Sequence, residues 1–339
     1  MRIIVDAFGG DNAPLEILKG AALAVKEYGH TVLLAGREEE IRRVAAENGI
    51  SLEGMDIADA PGVIGMDDEP KSILKEHKDC SMAEGLRRLA AGEGDALVSA
   101  GSTGALIMGS TFLVKRIKGV SRAALAALVP SDKGPFMLID SGANVDCRPE
   151  MLLQFAHMGS LYMTHVMNNG TPATVGLLNV GTEEHKGGDT QHAAFALLKD
   201  SGLNFVGNIE ARQVPMGAVD VLVCDGFSGN VLLKTMEGTA DMVLSNLKRA
   251  FFTNLKTKIA ALLVKPQLGE MKKKMSTASY GGAPLLGVAK PVIKTHGNSK
   301  AEAVKNAIRV AAQFAEADVI GSIAAAVKPV DASAAEEAR

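Results

Sequence analysis

Short apolar runs alternate with stretches of helical periodicity from the first residues of the chain. Runs of four or five residues, apolar nearly throughout, predict strands at 2–6, 31–35, 55–59, 96–99, 125–129, 136–139, 174–178 and 219–223. Apolar positions recurring every three to four residues predict helices at 14–28, 38–48, 83–91, 103–114, 149–167, 188–199 and 299–315. Strand and helix in alternation, with strands too apolar to show one polar face, imply an α/β fold around a mostly parallel, buried sheet. The stretch 123–139, with PSDKGP between two apolar runs, predicts a hairpin and hence a mixed sheet.

No proline- or serine-rich linker divides the chain, so residues 1–329 are expected to form one continuous domain. The last ten residues, 330–339, are alanine-rich and polar and are expected to be a flexible tail. One segment departs from the alternation. Between Asp241 and Val264, Leu244, Leu247, Phe251, Leu255, Ile259 and Leu262 form an apolar stripe, while Lys248, Arg249, Lys256, Lys258 and Lys265 lie off it. Pro266 then interrupts, and a short basic helix follows. The pattern predicts a pair of helices over about 240–275, with Leu262, Leu263, Val264 and Leu268 at its tip. Such a pair suits core packing or a dimer interface, and also contact with an anionic membrane surface.

Bulk properties narrow the function. A net charge of −3 and the absence of tryptophan argue against nucleic-acid binding. Three cysteines without Cys-x-x-Cys spacing predict free thiols in a reducing, cytoplasmic setting. The first strand is read from residue 2, so no signal peptide is expected, and no apolar run reaches the ~18 residues of a membrane span. The histidines do not cluster at metal-ligand spacing, there is no Gly-Lys dipeptide and no G-x-G-x-x-G after the first strand. Neither a metal nor a nucleotide cofactor is expected.

The chemistry is expected in five glycine-rich loops that follow strands and carry Asp, Asn, Ser or Thr. They are DAFGGD (Asp6, Gly9, Gly10, Asp11), SAGSTGA (Ser99, Gly101, Ser102, Thr103, Gly104), DSGAN (Asp140, Asn144), NVGTEEHKGGD (Gly181, His185, Lys186) and DGFSGN (Asp225, Gly226, Ser228, Gly229, Asn230). Strand ends in parallel sheets share an edge, and glycine lets backbone N–H groups approach an anion. Five such loops predict a pocket for phosphate or a phosphorylated group.

Within it, Lys186 is expected to offset charge on phosphate or on a developing oxyanion. Asn230 is expected either to donate its amide to an oxyanion or to cap a helix. Cys224 ends an apolar strand and is expected to be a buried, inert thiol. Ser228 sits in G-F-S-G-N, close to the G-x-S-x-G of a hydrolase elbow, but has no histidine partner in view and reads as a helix cap. Asp6, Asp140 and Asp225 are expected to tie their loops by accepting N–H bonds.

The motifs DAFGGDNAP, SAGSTGA, DSGAN, NVGTEEHKG, DGFSGN and YGGAPLLG…HGNS, in this order over residues 1–327, resemble the phosphate acyltransferases of the PlsX type. Phe8 stands where that family usually has Met. Ser102 stands where it commonly has Asn, keeping a hydrogen-bonding group but shortening it. The resemblance implies a three-layer α/β/α sandwich similar to isocitrate and isopropylmalate dehydrogenases and to phosphotransacetylases. It implies transfer of a fatty acyl group from acyl-acyl carrier protein to inorganic phosphate, giving acyl phosphate for a membrane glycerol-3-phosphate acyltransferase of phospholipid synthesis. It also implies a homodimer that touches the membrane peripherally through a projecting helical pair. The family's important Lys and Asn fall on Lys186 and Asn230.

Three other readings compete. A phosphotransacetylase-like enzyme would take its acyl group from coenzyme A. A decarboxylating dehydrogenase on the same fold would need an arginine clamp and metal-binding carboxylates, which no motif supplies. A non-enzymatic membrane-docking scaffold would use the helical pair alone.

Overall fold

The computed structural model describes residues 1–274 and 280–327. The expected tail at 330–339 lies outside the described residues. In chain order the main elements are β1 (Arg2–Asp6), α1 (Leu15–Tyr28), β2 (Thr31–Gly36), α2 (Glu38–Glu47), β3 (Met55–Asp59), α3 (Ser81–Ala90), β4 (Ala96–Ser99), α4 (Thr103–Gly109), β5 (Ala124–Ser131), β6 (Gly134–Ile139) and α5 (Pro149–Tyr162). Then follow β7 (Val175–Asn179), α6 (Asp189–Lys199), β8 (Phe205–Glu210), β9 (Val221–Val223), α7 (Gly226–Phe251), α8 (Leu255–Leu263), α9 (Lys265–Lys274), β10 (Ala283–Leu286), β11 (Val292–Lys294), α10 (Ala301–Glu316) and α11 (Val319–Ala326).

The strands form one eleven-stranded sheet in the order β3-β2-β1-β4-β11-β10-β5-β6-β9-β7-β8. Its apolar strands are covered by helices on both faces, so burial rather than alternation marks them. Ile3 and Val5 belong to one packed cluster with α1 and α10, while their neighbour Ile4 belongs to another with α3. The expected hairpin is β5–β6, closed by Asp132-Lys133 between the paired Ser131 and Gly134.

Polarity decides where the loops go. β1, β2, β3, β4 and β11 are mutually parallel. β10 is antiparallel to β11 and to β5, and β5 is antiparallel to β6. β6, β9, β7 and β8 are then parallel again, in the opposite sense to β1. The sheet is thus two parallel blocks joined by antiparallel strands.

The basic amphipathic segment is helical but breaks elsewhere than expected. α7 ends at Phe251, and Asn254 caps α8 by accepting the Thr257 N–H at 3.1 Å. Pro266 lies in the first turn of α9, where a missing N–H costs nothing, so it starts a helix rather than interrupting one. α8 buries none of its residues, and Leu255, Leu262 and Leu263 are among the most exposed large apolar side chains.

Candidate functional site

Two of the five glycine loops, DAFGGD and SAGSTGA, follow β1 and β4. The other three follow β6, β7 and β9, which run the opposite way, so the five loops do not share one sheet edge as the parallel pattern suggested. Strand twist of about 20–25° per step, over the six steps from β1 to β9, swings the second block round by roughly 120–150°. One helix then connects the two groups.

In the second block, Asp140 organises the DSGAN loop. Its Oδ1 accepts the N–H groups of Leu125, Gly142 and Ala143, and its Oδ2 accepts the N–H and side-chain amide of Asn144 at 2.7–2.8 Å. Burial pushes the Asp140 pKa up, and these donated bonds pull it back. Asn144 also donates to the Ala123 carbonyl (2.8 Å), which commits its amide to the loop. Its own carbonyl accepts the Gly226 N–H at 2.7 Å.

Asp225 is the cap of α7. Its Oδ1 accepts the Ser228 N–H (2.8 Å) and its Oδ2 the Ser228 hydroxyl (2.9 Å). The cap is therefore the carboxylate, not Ser228, because it stands at the strand-to-helix junction with extended backbone. The glycines here serve packing. A Cβ at residue 226 would lie 2.6 Å from the Asn144 carbonyl oxygen, and one at 229 would overlap the Asp140 carbonyl oxygen. The space they leave is filled by the neighbouring loop.

Asn230 lies inside α7, so the capping alternative falls away. Its side chain is exposed and faces Gly142, where the nearest approach from a Cβ position is 3.7 Å. Among the described residues no hydrogen bond of the Asn230 amide is present.

Lys186 is half-buried in the loop after β7. Its N–H donates to the Glu183 carbonyl (3.1 Å), and its carbonyl accepts the Asn179 side-chain amide (2.9 Å). The loop folds over Gly181, where a Cβ would come 2.9 Å from Lys186 Cγ. Among the described residues Lys186 has no ion-pair partner. His185 is exposed, and its carbonyl accepts from His192 Nε2 at 2.9 Å.

In the first block, buried Asp6 accepts the hydroxyls of Ser81 (2.6 Å) and Ser99 (2.7 Å), and burial raises its pKa. Gly101 donates to Ser99 Oγ (3.0 Å), and Asp11 N–H donates to the Gly297 carbonyl (2.7 Å). A Cβ at Gly9 would stand 2.7 Å from Gly101 N. Gly10, with φ of 95°, is packed 2.7 Å from the Gly297 carbonyl oxygen by the same measure. Ser102 caps α4 through the Ala105 N–H at 3.5 Å, Thr103 opens that helix, and Gly104 packs on Pro70.

The motif reading gave no role to the end of β11. Lys294 is buried there, donating to the carbonyls of Ala100 (3.4 Å) and Thr295, and burial lowers its pKa to about 8. Next to it His296 Nε2 lies 3.7 Å from Glu237 Oε1 of α7, and Lys234 pairs with Glu237 at 2.7 Å. The sequence did carry a signal, since KTHGNS is a polar, glycine-bearing strand end like the other five. β11 is only three residues long and follows Pro291, so the run was too short to read as a strand.

The thiols and Ser228 are poor nucleophiles. Cys224 is buried, and burial drives its pKa well up. Cys147 is pushed up to about 12. Ser228 gives its proton to a carboxylate that already caps a helix.

The profile of the Fatty acid synthesis protein family matches residues 1–322. Among curated relatives, one from Thermoanaerobacterium thermosaccharolyticum is 45% identical over 323 residues, covering 95% of this chain and 96% of its own, and is named phosphate acyltransferase. Another of that name, from Clostridium tetani, is 42% identical over 324 residues, covering 95% and 97%. The chain belongs to the PlsX-type phosphate acyltransferase family. It is an acyltransferase. Among solved structures, the EutD phosphotransacetylase of Staphylococcus aureus shares the fold, with a TM-score of 0.62 at 17% identity over 93% of this chain and 94% of that one. A branched-chain phosphotransacylase of Enterococcus faecalis gives 0.58 at 15% identity, over 93% and 99%.

Two cavities accompany this family fold. One of about 290 Å³ is lined by Val145, Asp146, Cys147, Leu152, Thr190, Gln191, Asp225, Phe227 and Ser228, where the start of α7 meets the start of α6. It adjoins the Lys186 loop, since a Cβ at Gly187 would touch Gln191 Cβ at 2.8 Å. A second, of about 440 Å³, is lined by Arg116, Ser121, Arg122, Asp146, Arg148 and Met151. Among the described residues there is no metal-binding cluster of His, Cys, Asp and Glu, and no helix long and apolar enough to cross a membrane.

Proposed function

We propose that the chain transfers an acyl group from acyl-acyl carrier protein to inorganic phosphate, releasing acyl phosphate and free carrier. The observation that carries this reading is the uncommitted amide of Asn230, facing Gly142 on an exposed face of α7. That face leads toward Lys234, Glu237 and His296 of the other loop group. The names of the relatives support phosphate as the acceptor.

The chemistry is direct. A phosphate oxygen attacks the thioester carbonyl carbon, a C–O bond forms, and the carbonyl oxygen becomes a tetrahedral oxyanion. The C–S bond then breaks and the thiolate leaves. Phosphate carries dianion near neutral pH and needs no strong base. The protein's task is to hold two anionic partners together and stabilise the oxyanion. Asn230 donates to the thioester oxygen, and Lys186 offsets charge on phosphate or oxyanion. The remaining phosphate contacts come from the loops of Asp6, Gly9–Asp11, Ser99, Gly101–Gly104, Asn144, Gly181 and His185 and from Asp225 and Ser228 at the start of α7, while Gly226 and Gly229 let the neighbouring loop pack there. The suppressed thiols and the committed Ser228 favour attack without an acyl-enzyme.

The finer setting follows from α7–α9. Their exposed Leu255, Ile259, Leu262 and Leu263 beside Lys256 and Lys258 suit an anionic membrane surface, where a glycerol-3-phosphate acyltransferase would receive the product. Exposed Val231, Met242 and Val243 on α7 suit a second copy of the chain, in a cytoplasmic, peripherally bound homodimer.

The deciding assay incubates acyl-acyl carrier protein with phosphate and traps acyl phosphate as the hydroxamate. Product should appear in step with free carrier and only with phosphate present. No acyl phosphate, or acyl groups found on Cys147, Cys224 or Ser228, would reject the reading. Because phosphotransacetylases share the fold, acyl-coenzyme A is run alongside; a preference for it would favour that donor.

A further inference from the structure

The second cavity brings three guanidinium groups together with one carboxylate, Asp146. In a chain of net charge −3 this is a local excess of positive charge. Its frame is fixed. The buried Gln154 of α5 accepts the Ser121 N–H (2.9 Å) and hydroxyl (2.6 Å) and donates to the Gly119 carbonyl (3.0 Å). Arg116 closes the same loop by donating to the carbonyls of Val120 and Ser121. Arg122 leaves this tied loop, and Arg148 directly precedes α5, at the positive end of that helix's dipole. Among the described residues neither Arg122 nor Arg148 has an ion-pair partner.

Asp146 lines both cavities, and Met151 of one is followed by Leu152 of the other. A ligand anchored among the arginines can therefore reach past Asp146 toward the start of α7 and the Lys186 loop. The planar, five-donor guanidinium suits the oxygens of a phosphate ester. The 440 Å³ volume leaves room for more than the phosphate itself.

Resting on the acyl-transfer reading, we propose that the Arg116–Arg122–Arg148 cavity binds the phosphate ester of the donor's pantetheine arm, so that the thioester end lies in the adjoining cavity. The phosphate-bearing arm is shared by acyl carrier protein and coenzyme A.

The test compares phosphopantetheine with pantetheine by calorimetry, on wild type and on Arg122→Glu/Arg148→Glu. This readout needs no catalysis, so it stands even if the acyl phosphate assay fails. Wild type should bind phosphopantetheine at least about tenfold more tightly, and the double variant should lose that preference. Equal affinity of wild type for the two, or a preference that survives in the variant, overturns the proposal. Where turnover is measurable, a fall of about tenfold or more in kcat/KM with acyl-acyl carrier protein identifies the carrier as the source. A fall confined to acyl-coenzyme A identifies coenzyme A. A thermal midpoint and circular dichroism spectrum matching wild type show that the variant is folded.

Discussion

Glu237 of α7 reaches His296, beyond β11, at 3.7 Å, and so joins the two loop groups that sheet polarity separates. Asn230 stands seven residues earlier on the same helix. That is nearly two full turns, so Asn230 and Glu237 share a face about 10 Å apart along the axis. The residue assigned to the oxyanion thus projects toward the ground between the groups.

Replacing Asn230 with Ala should cost about 10²–10³ in kcat, in the range of a lost oxyanion donor. Stability should stay level or rise by a few tenths of a kcal/mol, because an exposed Asn within a helix gives way to the best helix former. Steady-state kinetics beside a thermal melt separates the two effects. Near-normal turnover would take Asn230 out of the chemistry.

Lys186 and Gly181 should be coupled. Lys186→Ala is expected to lose ~3–4 kcal/mol in kcat/KM if its charge meets the transition state. Gly181→Ala puts a Cβ 2.9 Å from Lys186 Cγ and 2.8 Å from Glu183 Oε2, both on movable side chains. It should reduce turnover by displacing the lysine, and it should add little once Lys186 is already Ala. A double-mutant cycle on kcat/KM checks this; strict additivity would refute the coupling.

Gly229→Ala behaves differently. The obstacle is the Asp140 carbonyl oxygen, backbone held in a loop tied by its own carboxylate. A loss of about 1–3 kcal/mol or more in unfolding free energy is expected, read from denaturant midpoints. An unchanged midpoint would show that the loop can yield.

Lys294 gives a signature in alkali. Its pKa falls from 10.5 to about 8 on folding, so between these values the unfolded chain binds more protons than the folded one. Its contribution to stability therefore rises with pH across that window. Lys294→Met should abolish a rise of about 2–3 kcal/mol, measured as the wild-type-minus-variant difference between pH 7.5 and 10. Taking the difference cancels the thiols and tyrosines that titrate alongside. A flat difference would mean that the ammonium is not desolvated.

The exposed tip predicts a surface phenotype. Leu262→Glu/Leu263→Glu should weaken binding to anionic vesicles by at least about tenfold, from the loss of two buried leucines. Turnover of soluble substrate should be unaltered. Unweakened vesicle binding would place any membrane contact elsewhere.

The α/β architecture and the hairpin were legible because apolar runs and helical periodicity report burial directly. β10 and β11 were not, being four and three residues long, and β8 carries Gly207 at φ 100° beside a register irregularity in its pairing with β7. The two antiparallel pairings of β10 cancel, so the reversal that splits the loops comes from the β5–β6 hairpin, whose consequence for strand polarity was not drawn from the sequence pattern. Glycine positions were readable but their purpose was not. Whether Gly226 and Gly229 admit an anion or a neighbouring backbone depends on residues 140–144, far away in sequence. Lys294 escaped notice for the same reason, its carbonyl partner at Ala100 lying 194 residues away.

α7 holds Asn230 within its second turn and delivers the exposed α8 from its far end. At 26 residues it is a rod about 39 Å long, seated at the Asp225 cap. A tilt of about 5° around that seat would carry the distal end some 3 Å but Asn230 well under 1 Å. So seated, the helix would let its outer end follow an uneven surface while Asn230 stays nearly still.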